Sequence, residues 1–144
     1  MRVHHSARSV RGATAVEFAL LLPLLAFLFA IAIDYGRIFY YTVTCENCAR
    51  NGAMWLADPV LQTESPYTTV EDAATADASD LSPTPTVTKV TYADNQTDAF
   101  GVVYVEVTVH YTFNSVTNFP LIPSSYEIKR TVRMYQAPAA PKGF

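Results

Sequence analysis

A long apolar run near the N-terminus constrains the fold of this chain more than any other feature. From Ala13 to Ile33 the sequence contains one charged residue, Glu17, and from Phe18 to Ile33 it contains none. At about 1.5 Å per residue, a helix of this length spans roughly the 30 Å of a bilayer's hydrocarbon core. Pro23 removes one backbone hydrogen bond, which membrane helices tolerate. The run therefore predicts a transmembrane helix and excludes a simple soluble globule.

Charge is distributed unevenly along the chain, whose formal net charge is -3. The leader, residues 1–12, contains three arginines and no acid, whereas the rest of the chain is acidic. Basic residues stay on the cytoplasmic side of a membrane, so the N-terminus is predicted to be cytoplasmic and the C-terminal part extracytoplasmic. Nucleic acid requires a clustered basic footprint, which an acidic body lacks. We therefore expect no nucleic-acid partner.

The apolar run has two interpretations, a retained anchor and a cleaved secretory signal. Ala30 and Ala32 resemble the small-x-small pattern of a signal cleavage site. Three features argue against cleavage there: Glu17 lies inside the run, no polar region precedes the cut, and the helical pattern continues past Asp34. The sequence favours the anchor, and a domain secreted after cleavage near Ile33 stays an alternative.

The residues from Arg11 to Phe18 (RGATAVEF) form the most specific motif. They resemble the prepilin-type leader of type IVb pilins and pseudopilins, in which a basic leader ends in Gly and a Glu and an aromatic residue follow at the fifth and sixth positions. In that family a membrane aspartic peptidase cuts after the Gly. The resemblance implies processing between Gly12 and Ala13, which makes Glu17 and Phe18 the fifth and sixth residues of the mature chain.

The longer segment 11–41 (RGATAVEFALLLPLLAFLFAIAIDYGRIFYY) resembles the N-terminus of TadE-like proteins, the minor pseudopilins of tight-adherence (Flp) pilus systems. The Glu-Phe step, the early Leu-Leu-Pro and the acidic-aromatic turn after the span carry this resemblance. It implies a bacterial inner-membrane protein whose partners are a prepilin peptidase, other pseudopilins and the pilus assembly platform. The much shorter major Flp pilin and the longer TadG proteins do not fit this length.

Processing would give Glu17 a defined chemical role. A cut after Gly12 frees a positive α-amino group on Ala13 at the membrane face, and a carboxylate one helical turn away or on a neighbouring subunit can neutralise it. Such a pair also sets the axial register between subunits, because only one stagger matches the charges. The plain alternative is an interfacial acid that the dipole of a helix N-terminus favours.

Helical periodicity continues beyond the span, from residue 34 to residue 58, with apolar and small residues at three- and four-residue spacing. Pro59 marks the end of this pattern. One helix is therefore expected from Ala13 to Ala57, with its second half covered by a head domain. Three tyrosines close after the span would form an aromatic belt at the outer membrane interface: Tyr35, Tyr40 and Tyr41.

Cys45 and Cys48 are the only cysteines and allow three interpretations. They are small residues on a helix face, or an intrahelical disulfide of strained geometry in an oxidising outer compartment, or part of a redox or metal site. The last is disfavoured, since a redox C-x-x-C usually begins a helix in a βαβ fold and structural zinc needs four ligands. We expect neither a metal nor another cofactor.

The remainder of the chain predicts a small helix followed by strands. Residues 65–82 contain a short helix capped by Thr68 or Thr69, with Glu71 or Asp72 in its first turn. Strands are predicted over 86–92, 102–113 and 126–135, and strict alternation in the second indicates an antiparallel sheet with one wet face. Arg130 falls on the apolar side of the third strand, which predicts a bulge or an edge position.

The predicted fold class is α+β: a long N-terminal helix, transmembrane in its first half, packed against a small three-stranded antiparallel sheet in a pilin-like plan. The expected divisions are a basic leader (1–12), a transmembrane helix (13–33), a helix extension (34–58), an extracytoplasmic head (59–136) and a flexible tail (137–144). The apolar link 119–123 either folds back on the core or forms a contact patch for a partner or the membrane surface.

No sequence motif for a nucleotide, a catalytic triad or a metalloprotease is present in the chain. We therefore expect no enzymatic activity, no catalytic residue and no small-molecule substrate. The leading function is assembly of an Flp pilus. The alternative from a different class is an unprocessed single-pass membrane protein with an external binding domain.

Overall fold

The computed structural model describes residues 11–90, 96–115 and 124–136. Its helices and strands are α1 (Arg11–Ala57), α2 (Pro59–Glu64), α3 (Val70–Thr75), β1 (Thr86–Val90), β2 (Tyr104–Asn114) and β3 (Ser125–Tyr135). The strands form one antiparallel sheet in the order β1-β2-β3. The outer half of α1 packs on β2, β3 and α3. The predicted α+β class, with one long N-terminal helix on a three-stranded antiparallel sheet, is confirmed.

Several predicted segments fall outside the described residues. These are most of the basic leader, the last two residues of the first predicted strand, the apolar link 119–123 and the tail 137–144.

Helix α1 is 47 residues long and continues through Pro23. Its two halves differ in surroundings. As far as Ile33 the apolar side chains face outwards, whereas from Ile38 onwards one face is covered by the sheet and α3. A helix with apolar residues on all sides belongs in an apolar medium, and one with a single apolar face belongs on a protein core. The helix therefore passes from one kind of environment to the other.

The core of the head consists of a face of small residues on α1 and a face of larger ones on the sheet. Cys45, Cys48, Ala49 and Ala53 are 0% exposed on the helix side. The sheet side supplies its alternating residues: Val105, Val107, Val109, Tyr111, Phe113 and Ile128. The predicted alternation of β2 is therefore confirmed, and the small helix residues let the sheet approach closely.

Gly52 marks the closest approach in this core. A Cβ atom added there would lie 3.0 Å from Ala74 Cβ and 3.2 Å from Val107 Cγ1. The first contact comes from α3 and the second from β2, so the glycine lies where three elements meet. A side chain at this position would separate them.

Two short helices follow α1, and each begins at a capping side chain. The Thr69 hydroxyl accepts a hydrogen bond from the Asp72 backbone N–H at 3.1 Å and caps α3, as one of the two predicted caps requires. Asp58 caps α2 in the same way through the Val60 N–H at 2.8 Å. From the sequence, Pro59 predicts only the end of α1. In the structure it also occupies the first turn of α2, where its missing N–H costs nothing.

Strand β3 pairs with β2 residue by residue, from Ser125 opposite Asn114 to Tyr135 opposite Tyr104. It is an edge strand, as the position of Arg130 predicts, and the pairing contains no bulge. The bulge is unnecessary because the exposed Arg130 side chain can turn along the open edge, where Nη1 donates to the Lys129 carbonyl at 3.4 Å.

The outer face of the sheet is drier at its centre than the alternation predicts. Tyr104 and Thr108 are both buried, at 8% and 9% exposed. The Arg133 guanidinium stacks 4.0 Å from the centre of the Tyr104 ring, and the hydroxyls of Thr108 and Thr131 lie 2.9 Å apart. Cross-strand neighbours therefore cover these side chains without a further layer.

Replacing Gly52 with Val is expected to destabilise the head by about 2 kcal/mol, because the added atoms overpack the junction of α1, α3 and β2. Gly36, on the same helix, has no atom within 4 Å of an added Cβ. Gly36→Ala should therefore stabilise the chain by about 0.5–1 kcal/mol through helix propensity. Denaturation of the full chain in detergent micelles measures both. Equal effects of the two changes would show that the close approach at Gly52 has no energetic consequence.

Candidate assembly surface and membrane junction

The inner half of α1 presents an apolar surface on every side. Its most apolar stretch is 0% buried, and large side chains along it are more than half exposed, among them Phe18, Leu20, Leu25 and Phe29. Among the described residues, this is the one helix long and apolar enough to cross a membrane. Such a surface requires lipid or other helices to cover it. The segment is therefore compatible with a single-pass membrane anchor.

The residues of the predicted processing site lie at the start of α1. Gly12 is the second described residue of α1, and a Cβ added there would meet nothing within 4 Å. Glu17 and Phe18 follow one turn later and are exposed. A carboxylate is thus held on a helix surface that is otherwise apolar, at a distance from Ala13 set by the helical repeat.

A buried carboxylate lies where α1 leaves the apolar stretch. Asp34 is 1% exposed, and its Oδ2 accepts a hydrogen bond from the Ser115 hydroxyl at 2.9 Å. Its Oδ1 lies 3.5 Å from Nη1 of Arg37, one helical turn further along. Because Ser115 directly follows β2, these contacts tie the helix to the end of the sheet. We call Asp34, Arg37 and Ser115 the membrane junction.

Aromatic rings complete the junction on the side of the head. The Arg37 guanidinium carbon lies 5.1 Å from the centre of the Phe113 ring and 5.6 Å from that of Tyr41. The Tyr41 ring in turn packs on Tyr111 at 5.2 Å. A cation held over aromatic faces is stabilised by their quadrupoles, so the guanidinium bridges Asp34 and the head core.

This packing corrects one part of the predicted aromatic belt. Tyr35 and Tyr40 are 66% and 54% exposed, as residues at a membrane interface require. Tyr41 points instead into the head, because its position on the helix faces Tyr111 and Phe113. Phe39, 71% exposed, lies on the outward side with the two exposed tyrosines.

Cys45 and Cys48 are free thiols and completely buried. Burial raises the pKa of the Cys45 thiol to about 11 and also raises the pKa of Cys48, so both are neutral at physiological pH. Their packing is that of small residues on the helix face. A disulfide between them stays a prediction. Among the described residues, no group of three or more His, Cys, Asp or Glu side chains is arranged to hold a metal ion.

Comparison with known proteins yields one match. Residues 12–54 match the model of the TadE-like family, whose description reads TadE-like protein. Over these residues the chain is similar to TadE-like proteins. The match confirms the resemblance that the leader motif and the span indicate, and it covers under half of the chain. No curated protein and no solved structure is similar enough to match.

The TadE-like segment includes Gly12, Glu17 and the Asp34–Arg37 pair, and it ends at Met54 within the buried part of α1. It therefore joins the exposed apolar surface, the membrane junction and the first core residues in one matched unit. The match supports a protein associated with the Tad pilus in general terms.

Replacing Asp34 with Ala is expected to destabilise the chain by about 2 kcal/mol, because Arg37 keeps its charge and loses its anionic neighbour. Arg37 is one-third exposed, so this loss is smaller than for a fully buried pair. Glu46→Ala is the matched control, since Glu46 makes an exposed i,i+4 pair with Arg50 at 3.3 Å. It should cost less than about 0.5 kcal/mol. Chemical denaturation in micelles separates the two, and a similar loss in both would contradict a structural role for the junction.

The buried thiols should react only when the head opens. With raised pKa values, Cys45 and Cys48 expose neither thiolate nor sulfur at pH 8, so iodoacetamide should label both only in denaturant. Since the folded pKa of Cys45 exceeds its ordinary value of 9.0, its neutral form favours the folded state below pH 9, and that contribution falls as pH rises towards 11. Mass spectrometry of reduced, labelled protein measures the modification. Rapid labelling of the folded chain would contradict this packing.

Proposed function

We propose that the chain is a minor pseudopilin of a Tad pilus system, held in the bacterial inner membrane by α1 and processed after Gly12. The observation that carries the proposal is the Gly12–Glu17–Phe18 step at the start of the TadE-like match, directly before an apolar helix surface that the rest of the described chain leaves uncovered. A basic leader on one side and an α+β head on the other support a cytoplasmic N-terminus.

The position of Gly12 suits peptidase access. A glycine there leaves open space around the backbone. A protease that must grip an extended segment can therefore reach the bond to Ala13 without disturbing the span.

Glu17 supplies a negative charge for the amine that processing would free. The freed amine of Ala13 is positive, and an exposed carboxylate on the same helix surface offers it an opposite charge. In lipid, each unpaired charge costs several kcal/mol, so neutralisation favours any arrangement that brings the two together. If the partner carboxylate belongs to a neighbouring subunit, the same force aligns the two helices along their length.

The head serves this function by holding the helix and presenting a surface. The membrane junction fixes where the apolar part ends, and the small residues from Cys45 to Ala53 hold the outer half of α1 on the sheet. A role in assembly requires no reacting group in the head. The proposed partners are a prepilin peptidase, other pseudopilins and the inner-membrane assembly platform.

The mass of the mature N-terminus tests the proposal. In cells that contain the peptidase, membrane protein should begin at Ala13 and lack residues 1–12. Gly12→Leu should abolish this loss, because a branched side chain occupies the space that the glycine leaves open. Glu17→Gln should be cleaved and yet fail to support pilus formation, counted by electron microscopy.

Gly36→Ala is the matched control and should leave both readouts unchanged. Recovery of a chain that retains Met1 beside an active peptidase would overturn the proposed processing. It would favour an unprocessed single-pass protein with an external binding domain. A soluble product that begins near Ile33 would favour a cleaved secretory signal.

A further inference from the structure

A small apolar groove lies between the three helices at the end of the head furthest from the membrane junction. Its floor and lips include Met54, Trp55, Leu61, Tyr67, Ala73 and Ala76. The volume is about 270 Å³. Drug-sized ligands and cofactors occupy pockets of about 300–1,000 Å³, so this space is suited to one or two side chains.

The lips of the groove are apolar and open to solvent. Met54 and Leu61 are 41% and 43% exposed, and Tyr67, which also lines the groove, is 39% exposed. Exposed apolar lips around a space of this size indicate a site for one apolar side chain presented by a turn.

The same chain carries such a turn. Phe100 is 90% exposed, more than any other large apolar side chain of the described residues. The turn that holds it is rigid: Asp98 Oδ1 accepts from the N–H groups of Phe100 and Val102, both at 2.9 Å, and Gly101 adopts a φ of +77°. Hydrogen bonds from these N–H groups, and one from Tyr135, lower the pKa of Asp98. A preorganised turn loses little conformational entropy on binding.

The turn and the groove both lie at the end of the head that is far from the membrane junction. The turn precedes β2, whose other end carries Ser115 of the membrane junction. The groove includes the last turn of α1 beyond Asn51. Both are therefore far from the membrane. Because Phe100 is exposed, it does not fill the groove of its own chain.

Charge favours the same pairing between two copies. From residue 58 to residue 80, along α2 and α3, there are six acids and no base. Strand β3, whose last residue contacts Asp98 of the turn, carries Lys129, Arg130 and Arg133 against one acid, Glu127. A contact between β3 of one head and the helices α2 and α3 of another would place cations against acids, with Arg133 already paired to Glu106 at 3.1 Å. Asp98, the acid of the turn, already accepts two N–H groups of its own turn.

We propose that Phe100 of one copy of this chain inserts into the groove at Trp55 of a second copy. A single insertion leaves a free groove on one copy and a free turn on the other, so the contact can repeat from copy to copy. This contact belongs to the heads and does not require cleavage after Gly12. It goes beyond the proposed function, and failure of either leaves the other intact.

Cysteine cross-linking in membranes of the full chain tests the contact. A chain with Ala99→Cys, next to Phe100, mixed with a chain with Ala76→Cys, at the groove, should form an intermolecular disulfide under mild oxidation. Thr88→Cys, on the exposed face of β1, replaces Ala76→Cys in the control mixture. The expected yield exceeds that control by about tenfold, because a specific contact raises the local concentration of the pair. The native cysteines are buried and contribute no background.

Two further variants show whether the apolar insertion holds the copies together. Phe100→Ser removes the side chain, and Ala76→Trp fills the groove; each should lower the yield of oligomers on chemical cross-linking of lysines severalfold. A mixture of the two variants should restore dimers alone, since only one complementary pair of surfaces is left. Val60→Ser is the control, because Val60 is exposed on α2 and does not line the groove.

Three results would contradict the proposed contact between two copies. Equal disulfide yields at positions 76 and 88, or preferred disulfides between two copies of position 99, would overturn the proposal. Oligomer yields that stay at the level of the unchanged chain in both Phe100→Ser and Ala76→Trp would do the same. Cross-links from position 99 that reach a different protein in place of this chain would show that the groove's partner is not a second copy.

Discussion

The structure depends on one helix that must satisfy two environments, and Asp34 is where the change occurs. Below it, α1 exposes apolar side chains on all sides; above it, one face of the same helix is buried on a sheet. A carboxylate at this boundary is acceptable because the Ser115 hydroxyl donates a hydrogen bond to it and the positive Arg37 guanidinium lies 3.5 Å away. These contacts fix both the level at which the head begins and the face of α1 that meets the sheet, since Arg37 also lies against Phe113. The choice of this helix face decides which residues of α1 enter the core and which aromatic residues stay exposed. It also sets the orientation of the head.

In the core above Asp34, small side chains come from the helix and large ones from the sheet. The helix contributes cysteines, alanines and a glycine, whereas β2 contributes valines and aromatic rings. A helix with small side chains lies close to a sheet, so large residues on the sheet can fill the space between them without overpacking. Cys45 and Cys48 belong to this scheme as compact, neutral groups. The same closeness brings α3 against α1 at Gly52 and so forms one wall of the groove at Trp55.

Much of the fold can be predicted from the sequence because its strongest patterns are long. The apolar run, the helical stripe and the alternation of β2 each extend over ten or more residues, and helix and sheet are found where these patterns lie. Helix α2 is only six residues long, too short for a period to be recognised. The junction could not be predicted either, because Ser115 is 81 residues from Asp34 and becomes its neighbour only when the sheet forms. The direction of Tyr41 and the groove likewise depend on how separate elements pack. Gly12 and Glu17, by contrast, lie only five residues apart in the chain, so a local motif is sufficient to identify them.

The continuity of α1 has a mechanical consequence. With no break between the apolar half and Ala57, a change in the tilt of the apolar half is carried along the helix to the far end of the head. From Asp34 to Ala57 the arm is about 35 Å at 1.5 Å per residue, so a change of about 10° in tilt displaces its tip by about 6 Å. Where the apolar half spans a bilayer, a change in bilayer thickness can therefore move the outer surface by more than the width of a side chain.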